Sequence, residues 1–202
     1  MENILWHKNL IPTIFYLAVA LISFVMYNRS NSKYRTHTKR IQSLRSFMYL
    51  YKYIQLSTLI VCIASIWSNN SYLFELYQDL DFMVYCGIGL SGLAIAIFSL
   101  SRFSLGKNYS PCYDSYMPKN IKTTGIYSII RHPIYTSNIM LMLGIFITTG
   151  SLIVIANTIV LLAYYFISAF NEERAISKKF PKYILYKKQT GMFLPHLFKK
   201  IG

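Results

Sequence analysis

The sequence predicts an all-α integral membrane protein with about five transmembrane helices, its N-terminus outside and its C-terminus cytoplasmic. A cytoplasmic connector and an amphipathic C-terminal segment complete it. Three observations carry this expectation. First, 54% of the 202 residues are hydrophobic and only 14% charged, whereas soluble domains carry about a quarter charged residues. Second, five apolar stretches, at 10–27, 47–67, 82–100, 134–149 and 152–170, approach the roughly 20 helical residues needed to cross a bilayer. Third, the net charge of +14 is segregated. Arg29, Lys33, Arg35, Lys39, Arg40 and Arg45 follow the first stretch, and Arg102, Lys107, Lys119, Lys122 and Arg131 follow the third. The tail adds Arg174, Lys178, Lys179, Lys182, Lys187, Lys188, Lys199 and Lys200. The alternate loop 68–81 has no Lys or Arg and carries Glu75, Asp79 and Asp81, which is the positive-inside pattern. Cations placed by topology beside anionic headgroups leave no case for nucleic acid.

The elements follow in order. The first helix is read as retained rather than cleaved, because its basic cluster follows the apolar run and no small-residue cleavage site stands out. The first three stretches and the fifth are long enough to span, and the fourth is short and must be helped by its flanks. With no internal repeat or low-complexity linker, 1–202 forms one domain: three helices over 1–100, then the connector, a helical hairpin and the interfacial tail over 101–202. Backbone polar groups in lipid must be satisfied within helices or closed barrels, and these runs are too long for barrel strands. The segment 101–131 is a connector rich in Gly, Pro, Tyr and Asn, longer than a simple link needs. After Arg174, apolar Ile176, Phe180, Tyr183 and Ile184 alternate with lysines, as in a helix lying in the interface. Pro181 opens that helical turn and Gly191 closes it. Cys62, Cys86 and Cys112 show no metal-ligand spacing and no disulfide framework, so no metal is expected.

The chemistry concentrates in 124–135, Thr-Gly-Ile-Tyr-Ser-Ile-Ile-Arg-His-Pro-Ile-Tyr. Pro133 suits the first turn of the fourth helix. That places Arg131 and His132 at its N-terminal mouth, where a snorkelling arginine and an interfacial histidine are the plain alternative. About forty residues later come Glu172 and Glu173, two of only seven acidic residues. They are read as closing the fifth helix, where the macrodipole disfavours negative charge, so a cationic partner is expected beside the simpler option of a solvated pair. The tight turn Thr149-Gly150-Ser151 folds the two helices into a hairpin, so imidazole, guanidinium and carboxylates should converge. A zwitterionic amino-acid end group suits such a cluster, and S-adenosylmethionine has one. Tyr127 and Tyr135 are then candidates for stacking or cation–π contact, although single tyrosines among eighteen are more often interface anchors.

Together these residues resemble the isoprenylcysteine carboxyl methyltransferase and phospholipid methyltransferase group of membrane enzymes. The resemblance runs from Leu105-Gly106-Lys107-Asn108-Tyr109-Ser110 through Thr124-Gly125-Ile126-Tyr127 and Arg131-His132-Pro133-Ile134-Tyr135. It resumes at Glu172-Glu173-Arg174-Ala175-Ile176, then Phe180, Tyr183 and Tyr186, and ends at Phe193-Leu194-Pro195. It implies S-adenosylmethionine bound between the connector, the last two helices and the tail. The implied contacts are Lys119, Asn120, Ile121, Lys122, Tyr127, His132, Pro133, Ile134, Tyr135 and Glu172, with Arg131, Glu172 and Glu173 in catalytic roles. The implied reaction is methyl transfer to a lipophilic acceptor at the cytoplasmic membrane face, the accepting atom being a carboxylate oxygen, an amine or a thiol. One departure stands out. Animal isoprenylcysteine enzymes carry an arginine one turn before the first Glu, where this chain has Ser168, so either another acceptor or another cation such as Arg174 is implied.

Two other readings compete. Membrane reductases of the sterol reductase type share an Arg-His-Pro-x-Tyr motif and use NADPH, but commonly have Asn where Ile134 stands and an acid soon after Tyr. Here Thr136-Ser137-Asn138 supplies none. A non-catalytic membrane protein is the third reading. Asn138 and Asn157, polar within spans, fit helix–helix hydrogen bonding or a pocket lining alike.

Overall fold

The computed structural model describes residues 2–31, 40–43, 45–67, 81–106, 109 and 114–196. Its helices are α1 (Glu2–Asn31), α2 (Arg45–Trp67), α3 (Asp81–Leu105), α4 (Pro133–Thr149), α5 (Leu152–Lys179) and α6 (Tyr183–Gln189), with a 3-10 turn at Gly125–Ser128. All five predicted apolar stretches fall on helices. Met48–Trp67, Phe82–Leu105 and Leu152–Lys179 are long and apolar enough to cross a membrane, while Leu10–Ser23 and Pro133–Thr149 are shorter apolar runs. Their outward faces carry Leu21, Ile60, Phe82, Phe103 and Ile159, side chains that suit a lipid solvent rather than water. This is an integral membrane protein. Lys33, Arg35, Lys39, Glu75, Asp79, Lys107, Lys199 and Lys200, on which the topological expectation leaned, lie outside the described residues.

The fold is helical as expected, with one short addition: β1 (Arg40–Ser43) and β2 (Asp114–Tyr116) pair antiparallel, joining the segment before α2 to the connector. One expectation is corrected: α5 does not end after its apolar run. It continues to Lys179, so Glu172 and Glu173 lie inside the helix, and the macrodipole argument fails for them. The polar extension Asn-Glu-Glu-Arg-Ala-Ile-Ser-Lys-Lys consists mainly of good helix formers. Lys178 and Lys179 complement the carbonyl end, and Pro181 bars continuation through Phe180. Pro133 stands at the head of α4 as expected, while α1 starts at Glu2, well before its apolar stretch, and α3 runs on to Leu105.

Small residues set the central packing. On α3, Gly87 and Ser91 face Gly144 and Thr148 on α4 so closely that a Cβ at either glycine would overlap the opposite helix. Four-residue spacing of small residues lets two membrane helices approach to backbone contact. The Tyr16 hydroxyl of α1 hydrogen-bonds to Thr148 Oγ1 at 2.6 Å and lies 3.3 Å from Ser91 Oγ, tying a third helix to that seam. Asn157 of α5 donates to Ser57 and Thr58 of α2 at 3.2 and 3.0 Å, which answers its sequence ambiguity in favour of helix–helix bonding. At the far end of the hairpin, Gly150 adopts φ 64° as the C-cap of α4, a left-handed conformation that glycine reaches without steric cost. α5 starts two residues later.

Candidate active site

The hairpin brings both ends of the predicted constellation together. His132 is the N-cap residue of α4, and the backbone N–H groups of Arg131 and His132 donate to the carbonyls of Gly191 and Met192 at 2.8 and 3.0 Å. The C-terminal segment therefore pairs, strand-like, with the Arg-His motif, and Ile130 and Gly191 form a parallel bridge. Thr136 extends the clasp by donating to the Phe193 carbonyl at 2.8 Å.

Within this clasp the two glutamates have different surroundings. Glu173 is 2% exposed and is ringed by cationic groups. Its Oε1 takes a 2.6 Å bond from Arg131 Nε and lies 3.1 Å from His132 Nε2, while its Oε2 pairs with Lys187 Nζ at 3.0 Å. Arg131 also donates through Nη1 to the carbonyls of Lys187, at 3.1 Å, and Thr190. The network ties the residues leading into α4 to α5 and to the C-terminal end of α6. Glu172 points the other way, and its Oε1 accepts from the Tyr135 hydroxyl at 2.7 Å. Its Oε2 lies 3.9 Å from His132 Nδ1. His132, Tyr135 and Tyr165 stack in series, with centroid separations of 5.3 and 4.9 Å, and Asn138 donates to the Tyr165 hydroxyl at 3.0 Å.

A cavity of roughly 840 Å³ opens from this cluster. Of the sequence-predicted positions, Asn120, Ile121, Lys122, Tyr127, Arg131, His132, Pro133, Ile134, Tyr135 and Glu172 all line it. Lys119 and Glu173 do not; Lys119 is exposed and Glu173 sits behind Arg131. Arg174, the substitute cation considered for the place left by Ser168, lines a separate outer cleft. From the charged end the cavity runs between α1, α2, α3 and α4, where Val19, Leu56, Leu59, Ile95, Phe98 and Met142 form its walls. Lys52 and Gln55 of α2 add polar groups.

Sequence reasoning did not single out Tyr165, Lys187, Thr190 or the contributions of α1 and α2. Tyr165 had a usable signal: Leu161, Tyr165, Glu172 and Ile176 recur at helical spacing and share the cavity-facing stripe of α5. Tyr127, Tyr183 and Tyr186 close the connector side. The Tyr186 hydroxyl donates to the Tyr127 carbonyl, and the Tyr127 hydroxyl to the Ser101 carbonyl at 3.4 Å. Burial pushes the phenols of Tyr127 and Tyr183 up and that of Tyr186 to about 12, so all three are neutral donors near neutral pH.

The architecture defines a class: a helical membrane protein whose charged and aromatic clasp opens into an apolar chamber. The chain belongs to the phospholipid methyltransferase family, whose model matches residues 82–183, from the start of α3 to the first residue of α6, and so takes in Arg131, His132, Glu172 and Glu173. Two curated proteins are similar over the same kind of span. A cobalt-zinc-cadmium resistance protein of Cupriavidus metallidurans is 30% identical over 107 residues, covering 52% of this chain and 50% of that protein. A nickel-cobalt-cadmium resistance protein of Alcaligenes xylosoxydans xylosoxydans is 26% identical over 107 residues, with the same coverage. The chain thus spans about half the length of the curated relatives it matches. Among the described residues no group of three or more His, Cys, Asp or Glu side chains converges as a metal site.

Proposed function

We propose that the protein transfers a methyl group from S-adenosylmethionine to a lipophilic acceptor that reaches the cavity from the bilayer, at the cytoplasmic face. In this proposal five helices span the membrane, with the N-terminus outside. Residues 101–202 then form the cofactor-binding half of a single domain, and 1–100 wall the acceptor arm. The observation that carries it is the continuity of one cavity from the Glu172–His132 end to the apolar walls of α1–α4. A water-soluble, zwitterionic donor and a greasy acceptor need a shared chamber with such a polarity gradient.

The residues fit the donor. Glu172 is 15% exposed, faces the cavity and has one oxygen free of the Tyr135 bond, so it suits an ammonium group. His132 stands beside it, oriented by Glu173 and by its stack on Tyr135. Residues 120–122 and the Tyr127 ring supply backbone and aromatic surface for a heterocycle. When bound, S-adenosylmethionine supplies an electrophilic methyl group on a sulfonium centre. The protein's part is to hold donor and acceptor in line at about 3 Å and to keep water out, which positioning accomplishes without further chemistry for a carboxylate or thiolate acceptor. For an amine acceptor, Glu172 is the cavity-facing group able to take the proton. Arg131 and Glu173 act here as positioning residues, because Arg131 Nε and Nη1 and both carboxylate oxygens of Glu173 are engaged by each other and by the tail.

Calorimetry with S-adenosylhomocysteine tests the assignment. The wild type should bind saturably, and Glu172→Ala or His132→Ala should abolish binding while the variants remain folded. Unchanged affinity in both variants, or saturable NADPH binding without S-adenosylhomocysteine binding, would overturn it. Transfer of labelled methyl from S-adenosylmethionine into a membrane extract would then identify the acceptor.

A further inference from the structure

Behind Glu173, on the side away from the methyl-transfer cavity, a second cleft of roughly 520 Å³ opens to the surface between α5 and α6. Phe170, Arg174, Ser177, Lys178 and Lys187 line it with Glu173. We propose that this cleft holds the phosphodiester of one anionic phospholipid, gripped by Arg174, Lys178 and Lys187, with an acyl chain lying along Phe170.

Four observations lead there. Phe170, Arg174 and Lys178 recur every fourth residue, so they form one stripe on α5 about 6 Å apart along the axis. Phe170 is 69% exposed and is the last residue of the apolar run, a ring presented to lipid at the depth where the helix turns polar. One and two turns further on stand cations, the order in which an acyl chain and its headgroup meet a membrane helix. Charge is also unbalanced in the cleft. Glu173 is its one acid, and Arg131 on the other side already neutralises it, which leaves Arg174 and Lys178 without an ion-pair partner among the described residues. Lys187, 38% exposed, has donors beyond its single bond to Glu173. Finally, the surface is concave: α6 folds back over α5 and brings Lys187 opposite the stripe, whereas an ordinary solvated basic face would be convex. The Ser177 hydroxyl adds a neutral donor of the kind phosphate oxygens accept.

The test uses the full chain, purified in neutral detergent and titrated calorimetrically with short-chain phosphatidylglycerol, short-chain phosphatidylcholine and inorganic phosphate. Wild-type protein should bind about one phosphatidylglycerol saturably, with phosphatidylcholine and inorganic phosphate far weaker. Arg174→Gln/Lys178→Gln should lower that affinity about 30-fold. The pair Lys182→Gln/Lys188→Gln, likewise exposed but outside the cleft, removes the same charge and should leave it nearly unchanged. Retained melting temperature certifies that the first variant is folded. Equal loss in both double variants would reduce the effect to net charge and overturn the proposal. So would undiminished affinity in the first variant, or inorganic phosphate binding as tightly as the lipid. Because Arg174 and Lys178 do not line the methyl-transfer cavity, S-adenosylhomocysteine binding reports separately on that site.

Discussion

Adjacent glutamates should fail in opposite ways. Removing the Glu173 carboxylate strips the counter-charge from Arg131, which is 8% exposed, and from Lys187 and His132. Breaking a buried pair by deleting one partner costs about 3–5 kcal/mol, because a desolvated charge is left behind. The lower end applies here, since Arg131 keeps the carbonyls of Lys187 and Thr190 and Lys187 can turn to water. For a chain of this length, about 3 kcal/mol corresponds to a melting-temperature drop of roughly 6–12 °C. Glu173→Ala should therefore melt 6–12 °C lower and expose the lysines of α6 to trypsin, with Glu173→Gln in between. Glu172→Gln keeps the shape and an acceptor for the Tyr135 hydroxyl, so it should melt within about 2 °C of wild type yet lose S-adenosylhomocysteine binding. Thermal denaturation in detergent, paired with timed trypsin digestion, measures both. If Glu173→Ala melts like wild type, or if Glu172→Gln is the less stable of the two, the division of labour derived from these contacts is wrong.

Three further outcomes are expected. Tyr135→Phe removes a 2.7 Å bond to a carboxylate, so S-adenosylhomocysteine affinity should fall about tenfold with little change in melting; unaltered affinity would show that Glu172 needs no such support. Gly144→Ala forces a methyl group against Ser91 and the Gly87 backbone and should cost about 1–3 kcal/mol, whereas Gly89→Ala meets nothing within 4 Å and should be harmless. Equal melting temperatures for those two variants would refute the close helix crossing. Tyr186 carries a pH signature: burial chiefly, with the Glu173 charge adding and Arg131 opposing, raises its phenol from 10.0 to about 12. Between those values the unfolded chain releases the proton that the folded one keeps, so this contribution is intact below pH 10 and lost as pH rises through about 12. Wild type should out-melt Tyr186→Phe at pH 8, with the gap narrowing toward pH 11; parallel curves would contradict the burial.

The helices were legible because a bilayer imposes a length and a polarity on each span, and both can be counted along a chain. Pro133, the Gly150 turn and the Arg131-His132 mouth were legible for the same local reason, since each acts within a few residues of itself. That the hairpin brings its two ends together followed from these, and His132 and Glu173 lie 3.1 Å apart across it. The extent of α5 is not legible in its apolar run, because hydrophobicity ends at Phe170 while the helix goes on to Lys179. Helix propensity continues where lipid ends, and only Pro181 stops it.

Sequence alone thus determined the membrane, the hairpin and the side chains gathered at its mouth, all consequences of local period and composition. Only the tertiary structure decided that Glu172 faces the cavity and Glu173 the scaffold. Neighbouring residues on a helix diverge by about 100°, and which of two directions meets Arg131 and Lys187 depends on where α4 and a returning tail lie against α5. The same holds for the chamber itself: its walls come from helices far apart in the chain, joined by the contact of Gly87 with Gly144 and the bonds of Tyr16, which no single stretch of sequence displays.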